Sequence, residues 1–395
     1  MSNIPKLRFP EFSGEWEEKN FYEVFDILQN NTFSRDQLNN ENGIVRNIHY
    51  GDVLIKYGDY IDCQKEKLPF INLENNLSKY EDTSYVKNGD IIIADTAEDY
   101  TAGKVTEICN VKDYKILSGL HTFLCRTKFE FASKFLGYKL NSSSYHNQIA
   151  PLVAGTKVYS INRKAIGETT ITYPSKAEQH KIADFLSNVD SIITAETKIL
   201  NTLQKKKKAL MQKLFTQQLR FKSADGTDFP AWEEKKLEEC VISISSGKNK
   251  KKNSAGNFPV YGSMGIIGYS EQYVYNKDCI LVARVGANAG TLHIAKGKYD
   301  VSDNTLIIEL NENELLSFYY FLLVNINLNK LNYGTGQPLV TSGTLKNIDI
   351  QIPCKTEQQK IADCLSSMDS LIQTQQKVVT TWQQRKKALL QQMFI

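Results

Sequence analysis

The sequence predicts an α+β protein in which two mixed α/β domains alternate with two long coiled-coil helices, pseudo-two-fold and circularly arranged. Three observations predict it. Residues 174–194, PSKAEQHKIADFLSNVDSIIT, return as 353–373, PCKTEQQKIADCLSSMDSLIQ, at a shift of 179 (353 − 174), and KKALMQKLF at 207–215 returns as KKALLQQMF at 386–394. Both copies hold apolar side chains in steps of four and three. A shorter pair of motifs, LRF at 7–9 and WEEK at 16–19, stands again at 219–221 and 232–235. A repeat of this kind is one structural unit used twice, which implies a two-fold frame.

Residues 1–19 and 219–235 are the two copies of the short motif. The first helix runs on from Phe215 through TQQ into Leu219, Arg220 and Phe221, whereas the second reaches only Phe394 and Ile395. Its missing continuation is Leu7, Arg8 and Phe9, so the N-terminal segment is expected to pack beside the end of the second helix. WEEK repeats at a shift of 216 and the helix at 179, so the first intervening domain, 20–173, is 37 residues longer (216 − 179) than the second, 236–352. Both read as mixed α/β. IIIA at 91–94, ILVA at 280–283 and TLII at 305–308 are short apolar runs between Gly and Asn turns, the mark of strands. Gly89-Asp90 and Lys277-Asp278 open comparable strands, but otherwise the domains differ. A symmetric frame carrying two unlike heads suggests two different things being read.

The helices, 174–218 and 353–395, carry a continuous seam. It comprises Ile182, Leu186, Val189, Ile193, Glu196, Leu200, Leu203, Lys207, Leu210 and Leu214 in the first. The second has Ile361, Leu365, Met368, Ile372, Gln375, Val379, Trp382, Lys386, Leu389 and Met393. The polar exceptions fall at the same two places in both copies, and the sustained spacing is that of a coiled coil. No Pro or Gly interrupts either run, so each helix reaches about 60 Å at about 1.5 Å per residue. Ser175 and Glu178 fit a capping box, weakened in the second copy by Cys354. At Lys207 and Lys386 the stems can pack while the charge snorkels outward, or the ammonium can meet a partner protein. The basic runs around them, 205–208 and 385–387, read as solvated helix face.

Composition excludes several classes. With 395 residues, 41% hydrophobic and 23% charged, the chain has room for two cores. A net charge of +4 is compatible with DNA binding without establishing it. No apolar run resembles a signal peptide or a membrane span, so a cytoplasmic location away from membranes is expected. Seven Cys without CxxC spacing point to reduced thiols. None of the nine Pro adjoins another, which removes the Asp/Asn-Pro-Pro-aromatic loop of DNA amino-methyltransferases and argues against a stand-alone modifying enzyme. The Gly-Lys pairs at 103, 247 and 297 lack the Ser or Thr of a phosphate loop. The five His show no zinc-hydrolase spacing, and the chain is expected to bind no metal and no cofactor. Nuclease carboxylate pairs are too degenerate to exclude by spacing.

Binding surface is what remains. The loop SSGKNKKKNSAGN at 245–257 carries Lys248, Lys250, Lys251 and Lys252, able to meet phosphates or simply to be solvated. In ARVGANAG, Arg284 ends a strand beside small residues. Arg284 and Asn288 are candidates for guanine and adenine edges, against a role in holding the turn together. YGSMGIIGY at 261–269 is most simply a tight turn. Lys56, Tyr57, Lys104, His121, Lys157 and Tyr159 are the corresponding candidates in the first domain.

The PKLRFPEFSGEWEEK opening, the paired EQxKIAxxLSxxDxxI helices ending in KKALxQxxF, and the YGSxGIIGY, RVGANAG and GTGQP segments resemble the specificity subunit of Type I restriction–modification systems. The resemblance covers essentially the whole chain in order. It implies that 20–173 and 236–352 are target-recognition domains, each reading half of a bipartite, asymmetric double-stranded DNA site. It also implies that the helices pack antiparallel as a spacer. Two modification (methyltransferase) subunits would grip them, supplying S-adenosylmethionine, and restriction subunits would add ATP- and Mg-dependent translocation and cleavage. GTKVYSI at 155–161 and GTGQPLV at 334–340 would occupy similar places, adding Gln337 to the DNA-binding candidates. The alternative is a coiled-coil interaction scaffold that reads no DNA.

Overall fold

The computed structural model describes residues 3–99, 101–155, 158–249, 256–331 and 338–395. The chain forms two compact units, Met1–Glu196 with Val378–Ile395, and Thr197–Lys377. Both changeovers fall inside the long helices Lys176–Phe215 and Lys355–Met393, so each helix contributes a half to each unit. All twenty seam positions, Glu196, Lys207, Gln375 and Lys386 included, are buried or half-buried.

In the first unit the head holds a five-stranded sheet. Its order is Phe25–Leu28, Thr122–Thr127, Ile91–Ala94, Val105–Cys109 and Tyr60–Asp62, antiparallel except for the last pair. A four-stranded sheet, Ile116–Ser118, Arg46–Ile48, Phe70–Ile71 and Leu38–Asn39, has its strands interleaved with these along the chain and shares the head. The second unit has the antiparallel order Val241–Ser246, Thr305–Leu310, Cys279–Ala283, Leu292–Ala295, and a second sheet of Gly265–Ser270, Phe258–Gly262, Lys298–Val301 and Tyr275–Asn276. The four strands Phe25–Leu28, Thr122–Thr127, Ile91–Ala94 and Val105–Cys109 thus recur in the same order in the second head. The residue shift falls from 216 at Phe25 and Val241 to 189 at Ala94 and Ala283, so 27 of the 37 extra residues (216 − 189) lie before Ile91.

Matching contacts seat a helix end in each unit. The strand Glu17–Asn20 pairs antiparallel with Thr170–Tyr173, and Glu233–Lys236 with Asp349–Ile352, so each WEEK motif zips onto the strand that leads into a helix. Leu219 N–H donates to Lys213 O at 3.1 Å, a local bond at the end of the first helix. Its counterpart, Leu7 N–H to Gln392 O at 2.9 Å, joins the two ends of the sequence and closes the circle. Phe394 meets the Trp16 ring at 6.2 Å, as Phe215 meets Trp232 at 6.4 Å.

Two local expectations change. Glu178 does not complete a capping box. Its backbone N–H reaches Ser175 Oγ at 3.4 Å, but its buried carboxylate takes the Arg8 fork at 2.8 and 2.7 Å. In the same way Glu357 takes Arg220 at 3.0 and 2.7 Å, with Trp232 Nε1 donating at 3.1 Å. Nor do the seam lysines snorkel outward. Lys207 pairs with Asp369 at 2.5 Å, and Lys386 with Asp59 at 2.6 Å and Asp190 at 2.5 Å, so each ammonium meets a carboxylate of the protein where the sequence left it to solvent or a partner. Burial works to lower the Lys386 pKa, but the two carboxylates outweigh it and hold the ammonium above its ordinary value.

Candidate nucleic-acid interface

Each head brings the end of its central strand, a glycine turn and the loop before the helix-leading strand to one edge. In the first head the strand ends at Ala94. Asp95 N–H donates to His121 O at 3.1 Å, Gly103 N–H to Ala94 O at 2.8 Å, Ala94 N–H to Lys104 O at 3.0 Å, and Ile161 N–H to Asp95 O at 2.9 Å. In the second head the strand ends at Ala283. Arg284 N–H donates to Asn304 O at 2.9 Å, Gly290 N–H to Ala283 O at 2.8 Å, Ala283 N–H to Thr291 O at 2.8 Å, and Val340 N–H to Arg284 O at 2.9 Å. These are the same four bonds. Gly103 and Gly290 have φ of +91° and +88°, a backbone that other residues adopt only under strain, so the turn back onto the strand end needs glycine.

The side chains on the two edges differ in charge. Asp95 Oδ1 accepts Thr96 Oγ1 at 2.7 Å and lies 3.4 Å from His121 Nδ1; His121 is half-exposed and its ring stands edge-on to Tyr50. Tyr159 pairs with Ala97 on the same edge. The second edge carries Arg284, whose Nε is buried without a hydrogen-bond partner among the described residues. Asn304 and Lys248 are exposed there, and Asn249 backbone bonds to Val301 and Asp303 bring the root of the basic loop to this place. The Asn288 side chain has no hydrogen-bond partner among the described residues, while its carbonyl closes the turn with Thr291 N–H at 3.0 Å.

The sequence candidates therefore divide. His121, Tyr159, Lys248, Arg284 and Asn288 stand at these edges. Lys56 is exposed, over the Tyr57 ring, with its ammonium on Lys67 O at 2.9 Å. Two are corrected. Tyr57 is buried in the core with Ile48, Val53 and Ile61, and burial drives its hydroxyl pKa upward. Lys104 spends its ammonium on Leu54 O at 2.8 Å and Tyr57 O at 3.0 Å, at the end of the helix Tyr50–Ile55, where a cation complements unpaired carbonyls. Lys157, Lys250, Lys251, Lys252 and Gln337 lie outside the described residues.

YGSMGIIGY is not merely a turn. It forms a hairpin of Phe258–Gly262 and Gly265–Ser270 that leaves Met264, Ile266, Ile267 and Tyr269 exposed. Asp95, which follows IIIA as Arg284 follows ILVA, was not among the sequence candidates. Among the described residues no group of three or more His, Cys, Asp or Glu side chains could hold a metal ion, and no helix is long and apolar enough to cross a membrane.

Two unlike heads on duplicated, helix-seamed frames, each with the same exposed edge, define a bipartite recognition protein. The chain belongs to the Type I restriction modification DNA specificity domain family, whose model matches residues 13–205 and 230–381. It is similar to the Type I restriction enzyme MjaVIII specificity subunit of Methanocaldococcus jannaschii, 26% identical with 85% of this chain and 90% of that one covered. The putative MjaX specificity subunit of the same organism is 25% identical over 98% of this chain and 95% of its own. Among solved structures, the S subunit from M. genitalium shares the fold at a TM-score of 0.60 and 18% identity, covering 99% of both chains. A chain from a structure of type I restriction–modification complex assembly does so at 0.58 and 16%, covering 96% of this chain and 97% of that one.

Proposed function

We propose that this chain is the DNA-specificity subunit of a Type I restriction–modification complex. Each head reads one half of a split, asymmetric site, and the long helices set the spacing and receive two methyltransferase subunits. The observation that carries the reading is the doubled edge: one backbone scaffold, held by the same four bonds, presents different side chains in each head. Such an edge suits the major groove, where all four base pairs are distinguishable. Lys248 and Lys56 would meet phosphates, which position without specifying. The helices offer partners an apolar surface. Phe185, Val189, Ile192, Trp382 and Leu389 line an open groove in the first unit, and Leu371 is exposed in the second.

Under this reading chemistry belongs to the partners, which supply S-adenosylmethionine for adenine methylation and ATP and Mg for restriction. A base that is methylated must leave the stack, so the bound duplex is distorted. The test is co-expression with a cognate modification subunit in an unmodified host, followed by single-molecule sequencing for N6-methyladenine. A split motif that appears only with this chain supports the proposal. No motif, beside a modification subunit shown to be active with another specificity chain, returns the chain to the scaffold reading. Exchange of residues 236–352 should change one half-site alone, and four residues inserted near Thr202 should change the preferred spacer.

A further inference from the structure

We infer that Asp95 and Arg284 are equivalent base-reading positions of opposite polarity. Asp95 in the first head accepts from an exocyclic base amine in the major groove, cytosine N4 or adenine N6, where Arg284 in the second head donates to guanine. The inference rests on the DNA-reading function proposed above and assigns the chemistry of one position in each half-site.

The equivalence comes from the backbone. Asp95 and Arg284 each follow the last residue of the central strand, and each has its N–H on the residue that precedes the neighbouring strand, His121 or Asn304. Each offers its carbonyl to the last residue of the same loop repeat, Ile161 or Val340, which are themselves related by the helix shift of 179.

Chemistry then limits what each can touch. A carboxylate is repelled by phosphates, so on the DNA its favourable partners are base amines. In the major groove those are cytosine N4 and adenine N6, and Asp accepting from cytosine is an established pairing. Asp95 Oδ1 is engaged by Thr96 and approached by His121, which orients the group; Oδ2 has no partner among the described residues and remains as the acceptor. Arg284 has the opposite polarity, and its buried Nε has no hydrogen-bond partner among the described residues. Guanine O6 and N7 match its guanidinium fork.

The test uses the full chain in complex with its modification subunit and a DNA library randomised across both half-sites, read by methylation sequencing. Asp95→Asn keeps the Oδ1 acceptor and the side-chain size. It should shift a cytosine preference at one position of the first half-site towards adenine by roughly 5- to 100-fold, whereas Asp95→Ala should lower a cytosine or an adenine preference there by that factor, and both should leave the second half-site untouched. Arg284→Gln should lower a guanine preference at one position of the second half-site by a similar factor. The inference is overturned if the motif of Asp95→Ala or of Arg284→Gln is unchanged. It is equally overturned if methylation falls uniformly over all sequences while the melting temperature is retained, which would make the residue a positioning group. Exchange of residues 20–173 in the same assay separates the failures. If the exchange moves the half-site while Asp95→Ala does not, the heads read DNA through other residues; if neither moves it, the DNA-reading function itself fails.

Discussion

Arg220→Ala tests whether the helix ends are held by buried ion pairs. Arg220 Nε and Nη2 engage Glu357 at 3.0 and 2.7 Å, and Nη2 also reaches Pro230 O at 2.7 Å. The Glu357 side chain is fully buried and that of Arg220 is 25% exposed. Truncating one partner of a buried pair costs about 3–5 kcal/mol, because the other charge stays desolvated. Trp232 Nε1 still donates to Glu357 after the truncation, and solvent reaches the vacated site, so the lower end, about 3 kcal/mol, is expected. For a unit of this size that corresponds to roughly 6–12 °C in Tm. Arg220→Lys restores the charge without the fork and should recover about half. In Arg220→Met combined with Glu357→Gln no charge is left stranded, and the loss should be smaller than for Arg220→Ala alone. Urea midpoints and Tm of wild type, Arg220→Met, Glu357→Gln and the double variant close the cycle. A loss below about 1 kcal/mol for Arg220→Ala, or strict additivity in the double variant, would refute the reasoning.

Other predictions address the first head and the glycine turn. His49 Nδ1 accepts Gly51 N–H at 3.1 Å and caps the helix Tyr50–Ile55; burial, then the charge of Arg35 with a smaller push from His121, holds its pKa below the usual value against the pull of Asp52. A depressed histidine pKa contributes stability above about pH 6.5 that is lost as pH falls through the lower folded value. His49→Asn keeps a cap without that titration, so its urea midpoint should fall less than wild type between pH 8 and 5. Lys386→Met leaves Asp59 and Asp190 facing each other with side chains 13% and 23% exposed, and should cost about 2–4 kcal/mol. Lys207→Met frees only Asp369, 33% exposed, and should cost about 1 kcal/mol in the same calorimetric comparison. In Gly290→Ala the new Cβ would lie 2.3 Å from Asn329 Oδ1 at a φ of +88°, so a loss of about 2 kcal/mol or more is expected on thermal unfolding.

The helices were legible because a 4-3 spacing is a local pattern, and its recurrence at one shift tests itself. The strands Ile91–Ala94, Cys279–Ala283 and Thr305–Leu310 were legible as apolar runs between turns. The ion pairs were not, although both Arg8 and Arg220 lay inside a recognised motif. Their partners are 170 and 137 residues away, and Glu178 at three residues past Ser175 looked like a cap. Lys104 misled for a related reason: a lysine reads the same whether its ammonium meets phosphate or two carbonyls. The correspondence of Asp95 with Arg284 was hidden by insertions, which change the shift from 216 to 189 to 179 along the heads and leave no single alignment to follow. Backbone bonding recovers it because it depends on strand order rather than on side chains.

The two halves therefore keep different things in common. Where the short motif meets a helix end, side chains themselves recur: Arg8 and Arg220, Trp16 and Trp232, Glu178 and Glu357, Phe394 and Phe215. At the reading edge only the backbone bonds recur, and the side chains run from acid to base. Under the proposed DNA-reading function, stability and specificity are carried by separate atoms. A residue whose fold contribution lies in its backbone N–H and C=O can exchange its side chain at modest cost, about 1 kcal/mol for a half-buried position that holds no paired charge. Asp95→Asn and Arg284→Gln should accordingly melt close to wild type while Arg220→Ala does not. If the edge variants lost as much stability as Arg220→Ala, Asp95 and Arg284 would be frame residues, and the freedom of each head to read a different half-site would need another physical basis.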